Sequence, residues 1–282
     1  SGEVGMGYED IKCDLMDSIL TIKLNRPEFL NAWTHKMESE LKDAMNRASS
    51  SSEVRVIILT GKGRGFCAGA DMSLLNDVQE SKSSPDSSRE NDSFCRMENS
   101  LDLPPDFANR YSYFPSVTKP IIAAINGPCA GLGMIMAMYS DIRFASESAK
   151  FTTAFSRRGL IAEHGISWML PKVIGFAAAL ELLISARKFD SQESLRLGFV
   201  SGIFPDDIFM QKVNEYAVDL ARNVSPRSIR VIKSQLYAAQ FQDLTGAIET
   251  GNSEMLKSFE SEDFAEGVAH FIEKRGAKFS GQ

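Results

Sequence analysis

The chain predicts an α/β fold, a mainly parallel sheet with buried central strands followed by a helical region, and three observations predict it. Residues 54–59 form an apolar run broken only by Arg55, the pattern of a strand covered on both faces. That run empties into Gly61, Gly63, Gly65 and Gly69, after which M-S-L-L-N-D-V from residue 72 reads as the start of a helix. Residues 120–139 repeat the grammar: an apolar strand at 121–125, a turn at Asn126-Gly127-Pro128, then Gly131 and Gly133 opening an apolar helix. Finally, residues 207–224, 226–240, 242–259 and 261–275 carry four successive helical patterns. The proline-acid turn at 205–207 marks a boundary, giving a core over 8–205 and a helical region over 206–282.

Taken in order, Ser1-Gly2 without an initiator Met reads as a remnant of tag removal, with no signal peptide expected. Residues 8–15 and 18–25 alternate apolar and polar side chains, predicting a β-hairpin. Asn31 is the expected N-cap of a helix from Ala32 through about residue 49, where Trp33, Met37, Leu41 and Met45 recur at helical spacing. Residues 76–116 form a long irregular stretch, a candidate lid, within which the Ser-rich segment 80–93 reads as a surface insertion. A strand at 141–145, a segment at 151–153, a helix reaching Trp168, an apolar helix at 177–185, a short helix capped by Asp190 and Ser191, and a brief strand at 200–204 complete the core.

Composition narrows the function. A chain of 282 residues with 43% hydrophobic and 24% charged side chains is ordinary for a globular protein. The net charge of −6 argues against a dedicated nucleic-acid surface. No apolar run reaches the roughly 18 residues that span a bilayer. Cys13, Cys67, Cys95 and Cys129 share neither metal-ligand spacing nor a disulfide framework, so they read as free thiols in a reducing, cytoplasmic setting, with no metal or redox cofactor implied.

The two glycine-rich strand exits suggest chemistry. If their strands are neighbours, the N–H groups of Ala68 and Gly131 converge on one oxygen as an oxyanion hole; the same stretches also read as plain strand-to-helix connections. In G-L-I-A-E-H-G at 159–165, Glu163 is the one acid between two apolar stretches, placed for a raised pKa and proton transfer, or else a helix-capping or surface acid. His164 beside it either tunes the acid or faces solvent.

The motifs N-R-P-E-F-L-N-A at 25–32, G-F-C-A-G-A-D-M at 65–72, K-P-I-I-A-A-I-N-G-P-C-A-G-L-G at 119–133, S-D-I-R-F-A-S at 140–146 and F-I-E-K-R at 271–275 together resemble the crotonase (enoyl-CoA hydratase/isomerase) superfamily, in order and over about residues 8–279. The resemblance implies a crotonase-type ββα superhelical core with a C-terminal helical oligomerisation region, in homotrimers or dimers of trimers. It implies an acyl-CoA thioester as substrate, with coenzyme A entering only as part of it. It places Ala32, Ala70 and Asp71 along the coenzyme, and Phe271 and Lys274 at the adenine and phosphate end of a neighbouring subunit's coenzyme. The paired glutamates of enoyl-CoA hydratases fall on Ile135 and Phe155, which exchange no protons. Glu163 resembles instead the single carboxylate of enoyl-CoA isomerases, so isomerisation is the expected reaction. Hydration using Glu98 or Asp106, and a non-catalytic coenzyme-A- or RNA-binding homologue, are the alternatives.

Overall fold

The computed structural model describes residues 2–3, 7–81 and 97–282; most of the Ser-rich insertion expected at 80–93 lies outside them. In chain order come β1 (Gly2–Glu3), β2 (Ile11–Met16), β3 (Ile19–Leu24), α1 (His35–Ser50), β4 (Val56–Gly61), α2 (Met72–Ser81), β5 (Ile121–Ile125), β6 (Cys129–Ala130), α3 (Leu132–Tyr139), β7 (Ile142–Ser146) and β8 (Lys150–Thr152). Then follow α4 (Ile166–Ile174), α5 (Phe176–Ser185), β9 (Phe189–Asp190), α6 (Ser191–Arg196), β10 (Gly202–Phe204), α7 (Phe209–Asn223), α8 (Pro226–Ala238), α9 (Leu244–Phe259) and α10 (Glu262–Glu273). The large sheet runs β1-β2-β3-β4-β5-β7-β10, and β6-β8-β9 form a small second sheet.

The expected hairpin is β2 against β3, antiparallel, with Ile11 facing Leu24. From β3 onward every pair in the large sheet is parallel, so the chain exits β4 and β5 at the same edge. Alternation along these strands feeds two cores. Ile57, Leu59, Ile121, Ala123 and Ile125 pack with α1 and α3, whereas Val56, Ile58, Ile122 and Ala124 pack against Phe209, Val213 and Ala217 of α7. Thus α7, beyond the boundary placed at 205, covers the second face of the sheet.

Helix α8 is fastened to the same core. Lys233, nearly fully buried, donates to Asp141 Oδ2 at 2.8 Å and to the carbonyls of Phe114 and Lys119, while Tyr237 donates to Asp141 Oδ1 at 2.9 Å. At the end of the chain, Arg55 at the entry of β4 donates to the carbonyls of Ala221 and Phe279. The tail is therefore anchored at the end of β4 opposite its glycine-rich exit. Helix α9 buries none of its residues, and Leu244, Leu256, Phe271 and Ile272 are all exposed. No helix among the described residues is long and apolar enough to cross a membrane.

One expected cap is corrected. Helix α1 starts at His35, and its N-cap is Thr34, whose Oγ1 accepts from Met37 N at 3.0 Å. Asn31 is needed elsewhere. It is fully buried at φ 56°, its Oδ1 accepting from Arg26 N and its Nδ2 donating to the carbonyls of Lys62 and Gly65, so it stitches the β4 exit loop shut. Thr34→Ala is expected to lower stability by about 1 kcal/mol, the usual value of such a cap, read as a shift of the urea midpoint with unchanged slope.

Candidate active site

The exits of β4 and β5 are locked together through their main chains. Phe66 N and Cys67 N both donate to Pro128 O, and Ala130 N donates to Cys67 O at 2.9 Å. A Cβ on Gly133 would stand 2.4 Å from Cys67 O, so glycine is required there for backbone packing. Gly69 at φ 100° and Gly131 at φ 51° touch: a Cβ on Gly131 would lie 3.8 Å from Gly69 Cα and 4.0 Å from a ring carbon of Phe155. The two loops expected to meet do meet.

Which amides they present differs from expectation. Ala68 N–H donates to Leu30 O at 3.0 Å, and Gly131 N–H donates to Thr152 O at 3.1 Å, so neither is available to a ligand. This corrects the assignment of Ala68 and Gly131 as the oxyanion donors. The next amides along each loop are differently placed. Around Ala70, a parallel bridge to Trp33 uses Gly69 O and Asp71 N, leaving Ala70 N on the other side of the chain. Leu132 N is the first amide of α3. Among the described residues, neither Ala70 N nor Leu132 N has a main-chain acceptor, and they follow the two glycines whose backbones are in contact.

Ala32, Ala70 and Asp71 are brought together beside this junction. Arg26 donates through one Nη1 to Ala32 O at 2.7 Å and to Asp71 Oδ2 at 2.9 Å. Asp71 Oδ1 accepts from the amide and hydroxyl of Ser73, making it the cap of α2. The Ser73 bonds, then Arg26, hold its carboxyl below the usual range. Phe271 and Lys274 are placed apart from these residues. His270 packs on Phe279, whose carbonyl binds Arg55 at the opposite end of β4. Phe271 is 80% exposed and Lys274 is the left-handed C-cap of α10, so within one chain they do not join Ala32, Ala70 and Asp71.

Glu163 lies on the loop before α4, its side chain 28% exposed, and burial raises its carboxyl pKa. His164 Nε2 stands 3.7 Å from Glu163 Oε2. Burial of the imidazole, with Arg110 adding to it, pushes its pKa down to about 4, so near neutral pH the ring is neutral and the pair is not an ion pair. His164 at φ 55° and Gly165 at φ 77° form a left-handed turn, pinned where Tyr139 donates to His164 O at 2.7 Å. Ile135 and Phe155 are both buried and apolar, as read from the sequence. Glu98 and Asp106 are exposed; Asp106 borders a cavity of about 340 Å³ that His164, Tyr111 and Trp168 also line. Cys67 and Cys129 are fully buried beside the junction, and burial pushes both thiols up, Cys67 to about 12, which leaves them inert.

Residues missed from the sequence ring this loop. Glu38 of α1 accepts from Arg110 Nε at 2.5 Å and Nη2 at 2.6 Å, from Tyr111 OH at 2.9 Å and from Trp33 Nε1 at 3.1 Å. Burial opposes its charge, but these donors outweigh it and hold the carboxyl below the usual glutamate range. No local pattern signals a partner so distant in sequence; only the isolated polar residue amid the apolar positions of α1 hints at it.

The packed strand exits thus present two amides without main-chain acceptors, and the loop before α4 carries a half-buried acid. Comparison with known proteins gives the family. Residues 14–282 match the enoyl-CoA hydratase/isomerase family. The 1,2-epoxyphenylacetyl-CoA isomerase of Escherichia coli is 31% identical, the match covering 94% of this chain and 95% of that protein. A "probable enoyl-CoA hydratase" of Rhodobacter capsulatus is 32% identical over 98% of this chain and 100% of its own. Among solved structures, the enoyl-CoA hydratase of Bacillus anthracis superposes with a TM-score of 0.83 at 26% identity, covering 97% of this chain and 100% of that one. A Geobacillus kaustophilus enoyl-CoA hydratase subunit gives 0.83 at 29% identity, covering 98% and 99%. The chain belongs to the enoyl-CoA hydratase/isomerase family, and its fold is the crotonase fold with a C-terminal helical region.

Proposed function

We propose that the protein is an enoyl-CoA isomerase that moves a double bond through an enolate. The observation that carries this reading is the single acid: Glu163 has a raised pKa, while Ile135 and Phe155 stand buried and apolar where a hydratase of the family carries its glutamates. The ionised carboxylate of Glu163 takes a proton from the α-carbon of a 3-enoyl thioester. The C–H electrons form the C1=C2 bond of a dienolate that keeps C3=C4, the C1=O pair moving onto the thioester oxygen, and the amides of Ala70 and Leu132 receive that oxygen. Glu163 then returns the proton at C4: the C3=C4 pair takes it, the C1=C2 pair becomes C2=C3, the C1=O bond re-forms, and the 2-enoyl thioester results. One carboxylate serves both steps, and no water is added.

The thioester reaches the site with its coenzyme A along Ala32, Ala70 and Asp71. Phe271 and Lys274 contact that coenzyme from a second copy, in a trimer or dimer of trimers whose assembly covers the exposed apolar residues of α9 and α10. Coenzyme A comes and goes with the substrate, and no resident cofactor takes part. The buried thiols of Cys13, Cys67 and Cys129 suit a reducing, cytoplasmic setting.

Hydration is the second reading, favoured by Asp106 on the rim of the cavity shared with His164. Supplying 3-enoyl- and 2-enoyl-CoA separately, with products resolved by chromatography, separates the readings. Conversion of the 3-enoyl to the 2-enoyl thioester without 3-hydroxyacyl-CoA is the expected result. Hydration of the 2-enoyl thioester with no bond migration overturns it, and tight binding of both without turnover assigns the chain to a non-catalytic role.

A further inference from the structure

We propose that Glu38 is a positioning residue that fastens both halves of the site to α1, one arm holding the oxyanion amide loop and the other holding the Glu163 loop. The inference rests on the isomerase reading for the roles of Ala70 and Glu163.

The first arm is Trp33. Its Nε1 donates to Glu38 Oε2 at 3.1 Å, while its main chain forms both bonds of the bridge to the amide loop: Trp33 N to Gly69 O at 2.7 Å and Asp71 N to Trp33 O at 3.0 Å. Ala70 lies between those two bonds. Fixing the indole therefore fixes the strand that aims Ala70 N. The second arm is Tyr111, whose hydroxyl donates to the same Oε2 at 2.9 Å and whose ring meets the His164 imidazole edge-on at 4.4 Å between centroids. His164 in turn stands 3.7 Å from Glu163. Arg110 completes the clamp, bonded to both carboxylate oxygens of Glu38 with its guanidinium over the Tyr111 ring at 5.1 Å. Trp33 and Tyr111 pack on one another, with centroids 6.1 Å apart. One carboxylate thus receives four donor contacts from three side chains on two segments, Trp33 on one and Arg110-Tyr111 on the other, a hub whose loss displaces two loops together.

Glu38→Gln is the informative variant because it keeps the shape yet turns one acceptor oxygen into a donor facing other donors. A displacement near 1 Å at reacting groups costs on the order of 100-fold. Glu38→Gln is therefore expected to lower kcat on 3-enoyl-CoA by roughly 10–100-fold, with the Kd for a saturated acyl-CoA within about threefold of wild type. The arms separate in the Glu163→Gln background. Tyr111→Phe is expected to lower kcat in the otherwise wild-type protein and to add nothing in this background, since it acts through Glu163; Trp33→Phe is expected to keep its full loss, since it acts through Ala70. For Tyr111→Phe a merely structural role predicts equal losses in both backgrounds, and that result overturns the proposal. So does a Glu38→Gln protein with wild-type kcat. If Glu163→Gln itself is fully active, the isomerase reading fails, and the Trp33 arm is judged by Trp33→Phe alone, where wild-type kcat rejects it.

Discussion

Glu163→Gln is expected to lower kcat by about 10²–10⁴-fold while the Kd for an acyl-CoA stays within a few-fold, because the amide keeps the shape of the side chain and removes the proton acceptor of the proposed isomerisation. The pH profile supplies a second, independent readout. Glu163 must be ionised to take the α-proton, and burial raises its pKa, so activity rises with pH through a value above the ordinary glutamate range and is lost as pH falls below it. His164 does not cancel that effect, since its ring is neutral well into the acid range. Full activity in the Gln variant, or an acid limb at the ordinary glutamate value, removes Glu163 from the mechanism.

The fold was legible where burial writes a periodic pattern. Strand β4 reads as central because both its faces are apolar, and the structure gives those faces to α1 and α3 on one side and α7 on the other. The raised pKa of Glu163 was legible for a related reason, since Glu163 interrupts apolar sequence and its surroundings are local. Which amides lack main-chain acceptors was not. Whether an N–H is free depends on a carbonyl brought from elsewhere, here Leu30 for Ala68 and Thr152 for Gly131, and the bend at Gly69 (φ 100°) decides which following amide faces outward. Glycine spacing fixes the place of the loop but not its register. The same reasoning explains Asn31, a good cap by composition that is drawn instead into the β4 exit, and Glu38, whose partners Arg110 and Tyr111 lie 72 and 73 residues away.

Leu132→Pro tests that register directly, and its expected effect is a loss of kcat of about 10²–10³-fold, the usual consequence of removing one oxyanion donor. Leu132 is the first residue of α3, a position where proline's fixed φ suits the helix and where its missing N–H breaks no helical bond. The residue before it tolerates the change as well. Gly131 has φ 51° and ψ −115°, outside the right-handed helical region that a following proline excludes. Since Gly131 N–H, bonded to Thr152 O, is untouched, the β6–β8 junction keeps its anchor. Leu132→Ala controls for the lost side chain and is expected to retain kcat within a few-fold, because it keeps the amide. Binding of a saturated acyl-CoA should change far less than kcat in the proline variant, since the bond strengthens as charge develops on the oxygen. A folded Leu132→Pro protein with the kcat of Leu132→Ala would show that the thioester oxygen is held elsewhere.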